Sequence, residues 1–407
     1  MLCPPTIFSK GKMKMLKIKR VSSHIILDSR GKKTLQTEVE TDNGIFSASV
    51  PSGASLSSYE VALLDAETAV KNVEQEIAPE IIGREIKDQE DIDNFLISLD
   101  GTENKKRLGG NAILSLSMSV CRALAASENL PLFKYIGKIS KIDSSLKIPF
   151  PMFNFIEGGA HADNDLDIQE FLVSPRFSSF RENYSAGINA FNSLKQVLGE
   201  KFQELKMGYE GGFAPDLKNT RKTLDLLKKA VKGNSLLALD CAASQFFKDD
   251  VYSFEGKKRN YKEMSEFYLD LIENYNLVSL EDPFSEDDFI PWKELKQRIG
   301  DRVLLVGDDL LSTNTKRMEK AYNNNLCNAV ILKLNQIGTV SECIAANRLA
   351  KEYNWKTIVS HRGGETEDSF ISDLAVGIEA DFIKSGAPLQ KERAIKYERL
   401  LQIEKML

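Results

Sequence analysis

The chain has 407 residues, of which 42% are hydrophobic and 28% are charged, a composition typical of a globular protein. A net charge of −5 argues against a nucleic-acid-binding face, and no apolar run approaches the roughly 20 residues of a membrane span. The five cysteines are scattered and show no paired spacing. We therefore expect a cytoplasmic protein, kept in a reducing compartment and without a zinc site.

The N-terminal third of the sequence predicts a short extension and then an α+β domain. Residues 1–14 carry lysines but no long apolar core, so we interpret them as an extension rather than a secretory signal. Apolar and polar side chains alternate over residues 35–40, and the Asn43-Gly44 step favours a hairpin turn. Helical periodicity follows in three stretches, at 61–77, 91–99 and 111–126. We predict an α+β cap domain over residues 15–148.

From Pro149 onward, strand and helix patterns alternate to the end of the chain. The apolar runs end on hydrophilic residues whose spacing is that of successive strand-plus-helix units. These residues are Asp240, Glu281, Asp308, Lys333, Ser360 and Lys384. A (β/α)8 barrel builds its active site from hydrophilic side chains at the ends of successive parallel strands. The sequence therefore predicts an α/β fold in which residues 149–407 form a (β/α)8-type barrel.

Four of these strand ends carry charged side chains, one lysine and three acids, that are candidates for a functional site. Lys333 lies inside an apolar run, so its ammonium needs carboxylate neighbours or serves as a base, unless it simply reaches out to water. Asp240, Glu281 and Asp308 offer the hard oxygen ligands that suit Mg²⁺ shared with a substrate phosphate. The alternative is that these three acids are solvated at the barrel mouth.

The motifs that contain these residues resemble those of the enolases, in family order. They are LDCAAS (239–244), SLEDPF (279–284), GDDL (307–310), LKLNQIG (332–338), SHRGGETED (360–368) and KSGAP (384–388). Upstream, the resemblance includes DSRG (28–31), VPSGAS (50–55), NAIL (111–114) and QEF (169–171). It covers essentially all of the chain after residue 20.

The resemblance implies the reversible dehydration of 2-phosphoglycerate to phosphoenolpyruvate, a step of glycolysis and gluconeogenesis on a small phosphorylated substrate. It implies two Mg²⁺ ions per active site. Asp240, Glu281 and Asp308 would hold the first ion, and the second would be recruited with the substrate at the loop that carries Ser55. It also implies a homodimer or a higher homo-oligomer.

The same resemblance assigns roles to individual residues. Lys333 would remove the C2 proton of the substrate and would be kept neutral by nearby positive charge. Glu210 would donate a proton to the departing 3-hydroxyl, with Glu170 beside it and His361 as a further catalytic group. Arg362 would bind the phosphate with its fork of N–H groups. The substrate shell would comprise Ser55, His161, Gln169, Glu281, Arg362, Gly363 and Lys384.

Four departures from the enolase pattern lie close to these residues. Leu56-Ser57 replaces the Thr-Gly that follows the loop serine in the family. Asp163 replaces a glycine, Tyr209 replaces an acid, and Gly363 replaces a serine. None of the departures changes a proposed metal ligand, the base or the acid. We expect them to weaken substrate binding and loop closure rather than the chemical step.

Two other functions fit parts of the pattern. One is a Mg²⁺-dependent dehydratase for another acid sugar, although Lys333 and Lys384 together with His361-Arg362 fit a phosphate-bearing substrate better. The other is an enolase-like binding or scaffold protein with weakened catalysis. Intact metal binding without turnover would identify the second.

Overall fold

The computed structural model of the chain describes residues 15–53, 59–142 and 146–407. Within these ranges an N-terminal α+β part packs on a closed barrel of eight strands. The predicted α/β class, with a (β/α)8-type barrel and an α+β cap, is confirmed. In the part of the chain that the structure describes, no helix is long and apolar enough to cross a membrane.

The cap contains two antiparallel sheets. The larger has the strands β2 (Arg20–Leu27), β3 (Lys33–Thr41) and β4 (Gly44–Ser49), in that order. In the smaller, β1 (Leu16–Lys17) pairs with β5 (Glu85–Ile86). Leu35, Thr37 and Val39 of β3 are buried while the residues between them are partly exposed, as the alternation predicts. The predicted hairpin joins β3 to β4, and Gly44 has a φ of +127°, which glycine adopts without strain.

Helices cover one face of this sheet. They are α1 (Ala66–Asn72), α2 (Ala78–Ile81), α3 (Gln89–Asp100), α4 (Gly110–Ser127) and α5 (Leu132–Ile139), with a π-helical turn at Val73–Ile77. The first helix begins later than its periodicity predicts because Asp65 caps it, its side chain accepting the Thr68 N–H at 2.8 Å. Val61 instead donates its N–H to the Gln336 carbonyl of the barrel part at 3.0 Å. The fourth helix is buried nearly all round, as predicted.

The barrel strands surround a small interior core. They are β6 (Phe150–Glu157), β7 (Glu170–Pro175), β8 (Ser235–Asp240), β12 (Leu277–Glu281), β13 (Leu304–Gly307), β14 (Ala329–Leu332), β15 (Lys356–Ser360) and β16 (Phe382–Lys384). The short strands β9 (Phe247–Lys248), β10 (Val251–Phe254) and β11 (Lys257–Arg259) form a separate sheet after β8. One strand departs from an all-parallel barrel, since β7 runs antiparallel to both β6 and β8. Its first residue, Glu170, therefore lies at the mouth where its neighbours end.

Helices pack around the barrel and join it to the cap. They are α6 (Phe180–Gly199), α7 (Thr220–Ala230), α8 (Tyr261–Tyr275), α9 (Phe289–Ile299), α10 (Thr315–Asn323), α11 (Leu334–Ile337), α12 (Val340–Glu352), α13 (Phe370–Gly377) and α14 (Lys391–Glu404). Short 3₁₀ turns lie at Gly159–His161 and Ala243–Phe246. Arg122 of the cap forms two hydrogen bonds of 2.7 Å with Asp368 of the barrel part, one to each carboxylate oxygen. This bidentate contact fixes the cap over the barrel mouth.

Candidate active site

Four acidic residues lie side by side on neighbouring strands at the barrel mouth. The register pairs Glu157 with Glu170, Glu170 with Asp240, and Asp240 with Glu281. All four side chains are buried. Buried like charges at this spacing repel one another, so the mouth requires positive charge to be stable.

A pocket at this mouth contains nearly all of the residues that the sequence singled out. The predicted residues that line it are His161, Gln169, Glu170, Glu210, Asp240, Asp308, Lys333, His361, Arg362, Gly363 and Lys384. Glu281 does not line the pocket, but both of its carboxylate oxygens lie 3.0 Å from the Lys384 Nζ. Ser55 lies outside the described residues. The roles of these residues stay predictions.

Lys384 supplies positive charge at the centre of the acidic row. Its Nζ lies 3.0 Å from Asp240 Oδ2 and 3.1 Å from Glu170 Oε2, in addition to its contacts with Glu281. Burial opposes the charge on Lys384, but these acids outweigh it and raise its pKa well above the usual value. Burial and the neighbouring acids also raise the pKa of Glu281 and Glu170 well above the usual range. One ammonium therefore does not neutralise the row.

Lys333 forms an ion pair with Asp308, and the other oxygen of Asp308 accepts a hydrogen bond from Gln336 Nε2 at 3.1 Å. Burial, Arg362 and Lys384 lower the pKa of Lys333, whereas Asp308 raises it and prevails. The carboxylate predicted as a metal ligand is thus the direct partner of Lys333, and its charge favours the protonated lysine. The expectation that Lys384 and bound metal ions keep Lys333 neutral stays a prediction.

Glu210 has two histidines and an amide as its neighbours in the pocket. Its Oε2 lies 3.0 Å from His361 Nε2 and accepts a hydrogen bond from Asn154 Nδ2 at 3.1 Å. His161 Nδ1 lies 3.6 Å from Glu210 Oε1 and 3.5 Å from Glu170 Oε1. Burial raises the pKa of Glu210, but His361 and His161 lower it, and the net pKa is well below the usual value. The pKa values of the two carboxyl groups are thus shifted in opposite directions, that of Glu170 upward and that of Glu210 downward.

Arg393, which sequence reasoning missed, fixes the tautomer of His361. Its Nη1 lies 2.6 Å from His361 Nδ1, and an arginine can only donate, so the histidine proton is on Nε2 and faces Glu210. Burial lowers the pKa of His361 to about 3, which keeps the ring neutral. Arg393 lies in α14, where no sequence pattern distinguishes it from a surface arginine.

Arg362 has a carboxylate partner that the sequence also did not indicate. Its Nη1 donates to Glu60 Oε2 at 2.9 Å and to Asn335 Oδ1 at 2.9 Å, and its Nη2 donates to Glu60 Oε1 at 3.2 Å. A phosphate that binds Arg362 must either share the guanidinium with Glu60 or displace the Glu60 carboxylate from it. Gly363 lines the pocket next to Arg362, as predicted, and its own carbonyl accepts a hydrogen bond from Arg393 at 2.8 Å.

The carboxylates of the mouth offer oxygen donors of the kind that a metal ion takes. Asp240, Glu281 and Asp308 are all buried, and burial together with the charge of Asp240 raises the pKa of Glu281. These three are not among the described groups in which one ligand atom from each residue lies within 4.8 Å of the others. The groups that meet this limit are Asp282 with Asp308 and Asp309, and His161 with Glu170 and Glu210.

A closed barrel with lysines, acids and histidines gathered at one mouth is the arrangement of a barrel enzyme, whose active site lies at that mouth. Comparison with known families specifies it further. The profile described as the enolase C-terminal TIM barrel domain matches residues 145–407, and the enolase N-terminal domain matches residues 18–136. An enolase of Mycobacteroides abscessus is 46% identical over 410 aligned residues, which cover 96% of this chain and 94% of the relative. The chain belongs to the enolase family. The predicted family and enzyme class, a lyase, are confirmed, and the family implies a metal cofactor.

Proposed function

We propose that this protein interconverts 2-phosphoglycerate and phosphoenolpyruvate with two Mg²⁺ ions at the barrel mouth. The observation that carries the proposal is that one pocket holds the predicted base Lys333, the acids Glu210 and Glu170, and the carboxylates Asp240 and Asp308. A scaffold protein would have no use for this arrangement. The contacts among the described residues therefore favour catalysis over the binding or scaffold function.

Removal of the C2 proton is the difficult step, because a carbon next to a carboxylate is a very weak acid. We assign this step to Lys333, which must first lose the proton that Asp308 stabilises. Bound at Asp240, Glu281 and Asp308, the first Mg²⁺ would stabilise the negative charge that develops on the substrate carboxylate. Lys384 and Arg362 lower the pKa of Lys333 and so favour its neutral, basic form.

Loss of the 3-hydroxyl requires a proton from the other side of the site. We assign it to the Glu170 and Glu210 pair, whose carboxylate oxygens lie 3.5 Å and 3.6 Å from His161 Nδ1. Burial raises the pKa of Glu170 well above the usual value and so favours its protonated form, while Glu210 Oε2 lies 3.0 Å from His361 Nε2. The second Mg²⁺ would be recruited with the substrate phosphate, and Ser55 would serve as its ligand.

Formation of phosphoenolpyruvate, followed by ultraviolet absorbance, tests the proposed function. Purified protein should convert 2-phosphoglycerate when Mg²⁺ is present, lose activity on chelation and regain it when Mg²⁺ is restored. Metal binding without turnover would instead identify the binding or scaffold function. Turnover of a different acid sugar in place of 2-phosphoglycerate would identify the dehydratase.

Restoring the serine that enolases carry at position 363 should improve substrate binding. A hydroxyl beside Arg362 adds a hydrogen bond to a charged group, worth about 1.5–3 kcal/mol, so Gly363→Ser should lower KM by about ten- to a hundredfold. The kcat should change little, because the bond forms equally in the ground state and the transition state. Steady-state kinetics at saturating Mg²⁺ measure both constants.

The matched control is Gly363→Ala, which adds the carbon without the hydroxyl and should not lower KM. An unchanged KM in the serine variant would mean that the pocket already supplies another phosphate donor. Equal improvement in both variants would assign the effect to backbone stiffening instead.

We also propose a cytoplasmic homo-oligomer, with a cap at residues 15–148 and a barrel domain at residues 149–407. The four described cysteines are free and buried, which fits a reducing compartment. The strand β6 begins at Phe150, next to the proposed domain boundary. Leu27 on β2 and Ile45 on β4 are 64% and 57% exposed, and exposed apolar side chains of this kind suit contact with a second copy. Light scattering of the purified protein would measure the assembly.

A further inference from the structure

Glu157 is a buried acid at the barrel mouth to which neither the family resemblance nor the proposed mechanism gives a role. It is the last residue of β6, and its side chain is fully buried. Its Oε2 accepts the Glu210 backbone N–H at 3.0 Å, and its Oε1 accepts the Gly212 N–H at 2.5 Å. One carboxyl group thus holds the main chain on both sides of residue 211.

The glycine-rich turn at residues 208–212 fits closely around this carboxyl group. A Cβ at Gly208 would lie 2.3 Å from Glu157 Oε2, and a Cβ at Gly212 would lie 2.9 Å from Oε1. The Gly208 N–H closes the turn by donating to the Gly212 carbonyl at 2.8 Å. At these two positions, glycine is required because any side chain would collide with Glu157.

We propose that Glu157 is a positioning residue that holds the Gly208–Gly212 turn and thereby aims the Glu210 carboxyl group at His361. The inference rests on the proposed function, in which Glu210 and Glu170 supply the proton for the departing hydroxyl. The 3.0 Å separation of Glu210 from His361 and its 3.1 Å hydrogen bond from Asn154 both depend on where the turn places residue 210. A displacement of about 1 Å in such a group can reduce the rate about a hundredfold.

Glu157 acts on Glu210 through hydrogen bonds rather than through its charge. Burial and Glu210 raise the pKa of Glu157 to about 8, while the two N–H groups and Arg393 oppose the rise. The pKa of Glu210 lies well below the usual value, so Glu157 is already uncharged where Glu210 titrates. Its contribution is therefore the position of the turn, which is held by the two backbone hydrogen bonds that Glu157 accepts.

The test compares Glu157→Gln with Glu157→Asp. Glutamine exchanges an acceptor oxygen for an NH₂ group that cannot accept either N–H. We expect a kcat about ten- to a hundredfold below wild type and a KM that changes less than kcat. Aspartate keeps both acceptor oxygens but is one carbon shorter, so it holds the turn in a different place and kcat should fall as well.

Asp100→Asn is the matched control. Asp100 is also buried and also accepts two backbone N–H groups, from Thr102 at 3.0 Å and Leu108 at 2.7 Å, but it lies in the cap. Its replacement should lower the melting temperature without changing kcat. A Glu157→Gln variant with wild-type kcat, or one in which KM changes as much as kcat, would overturn the proposal.

Hydrogen–deuterium exchange gives a readout that does not require turnover. The amides of Glu210 and Gly212 should exchange slowly in the wild-type protein and faster in Glu157→Gln, but not in Asp100→Asn. Fast exchange of both amides in the wild-type protein would overturn the proposal even if no variant at position 157 folds. A wild-type protein that protects these amides but does not convert 2-phosphoglycerate would refute the proposed function and leave the structural role of Glu157 intact.

Discussion

Replacing Lys333 with alanine is expected to abolish turnover while leaving the fold intact. The change removes the group assigned to C2 proton abstraction, and loss of a general base typically costs about 10²–10⁴ in rate, more where no other group substitutes. The backbone contact of Lys333 is retained, because its N–H donates to Thr313 Oγ1 at 3.0 Å whatever the side chain. Phosphoenolpyruvate absorbance measures turnover, and calorimetric titration measures Mg²⁺ binding.

The same variant should not weaken Mg²⁺ binding. Asp308 loses its ammonium partner, so its carboxylate becomes more available to a cation. Lys105→Ala is the matched control, since Lys105 is also a buried lysine in an ion pair, at 2.9 Å from Glu342, but lies in the cap. That variant should lose stability and keep its kcat. Near-normal activity of Lys333→Ala would remove Lys333 from the role of base.

The strand ends were predictable because each is a local event in the sequence. Asp240, Glu281 and Asp308 each follow an apolar run, and parallel strands bring such ends together at one mouth of a barrel. Glu157 follows the same rule, since it ends the apolar run of β6 and precedes two glycines. That signal was therefore present in the sequence.

Other features of the site depend on tertiary contacts and leave no local signal. Arg393 reaches His361 from α14, and Glu60 reaches Arg362 from the cap, across 302 residues of chain. The strand β7 runs antiparallel to its neighbours, so its first residue, Glu170, lies at the mouth. This reversal is likewise a property of the topology. The pairing of Lys333 with Asp308 is tertiary as well. The pKa of Lys333 depends on which carboxylate becomes its direct partner, and the sequence shows only that several are close.

The geometry leaves two neighbouring carboxylates as candidates for the cation at the end of β13. Asp282 accepts the backbone N–H groups of Asp308 at 3.0 Å and of Asp309 at 2.7 Å, so it fixes both residues at the mouth. Burial raises the pKa of Asp308, but Lys333 lowers it by more than burial raises it. The Asp308 carboxylate is therefore ionised at neutral pH. Burial and the adjacent Asp308 raise the pKa of Asp309 to about 7, so a large fraction of it is protonated there.

Asp308→Asn should therefore weaken Mg²⁺ binding far more than Asp309→Asn does, by about ten- to a hundredfold for the former at pH 7. An ionised carboxylate attracts a divalent cation, whereas a protonated one is close to the amide that replaces it. The difference in Mg²⁺ affinity between the two variants should become smaller as the pH rises through 7. Above that pH, Asp309 is ionised in the wild-type protein, so replacing it with asparagine then removes a charge. Calorimetric Mg²⁺ titrations at pH 6.5 and pH 8.5 measure this. Equal weakening by both substitutions at the lower pH would show that the cation does not distinguish Asp308 from Asp309, and that the ligand assigned to β13 is wrong.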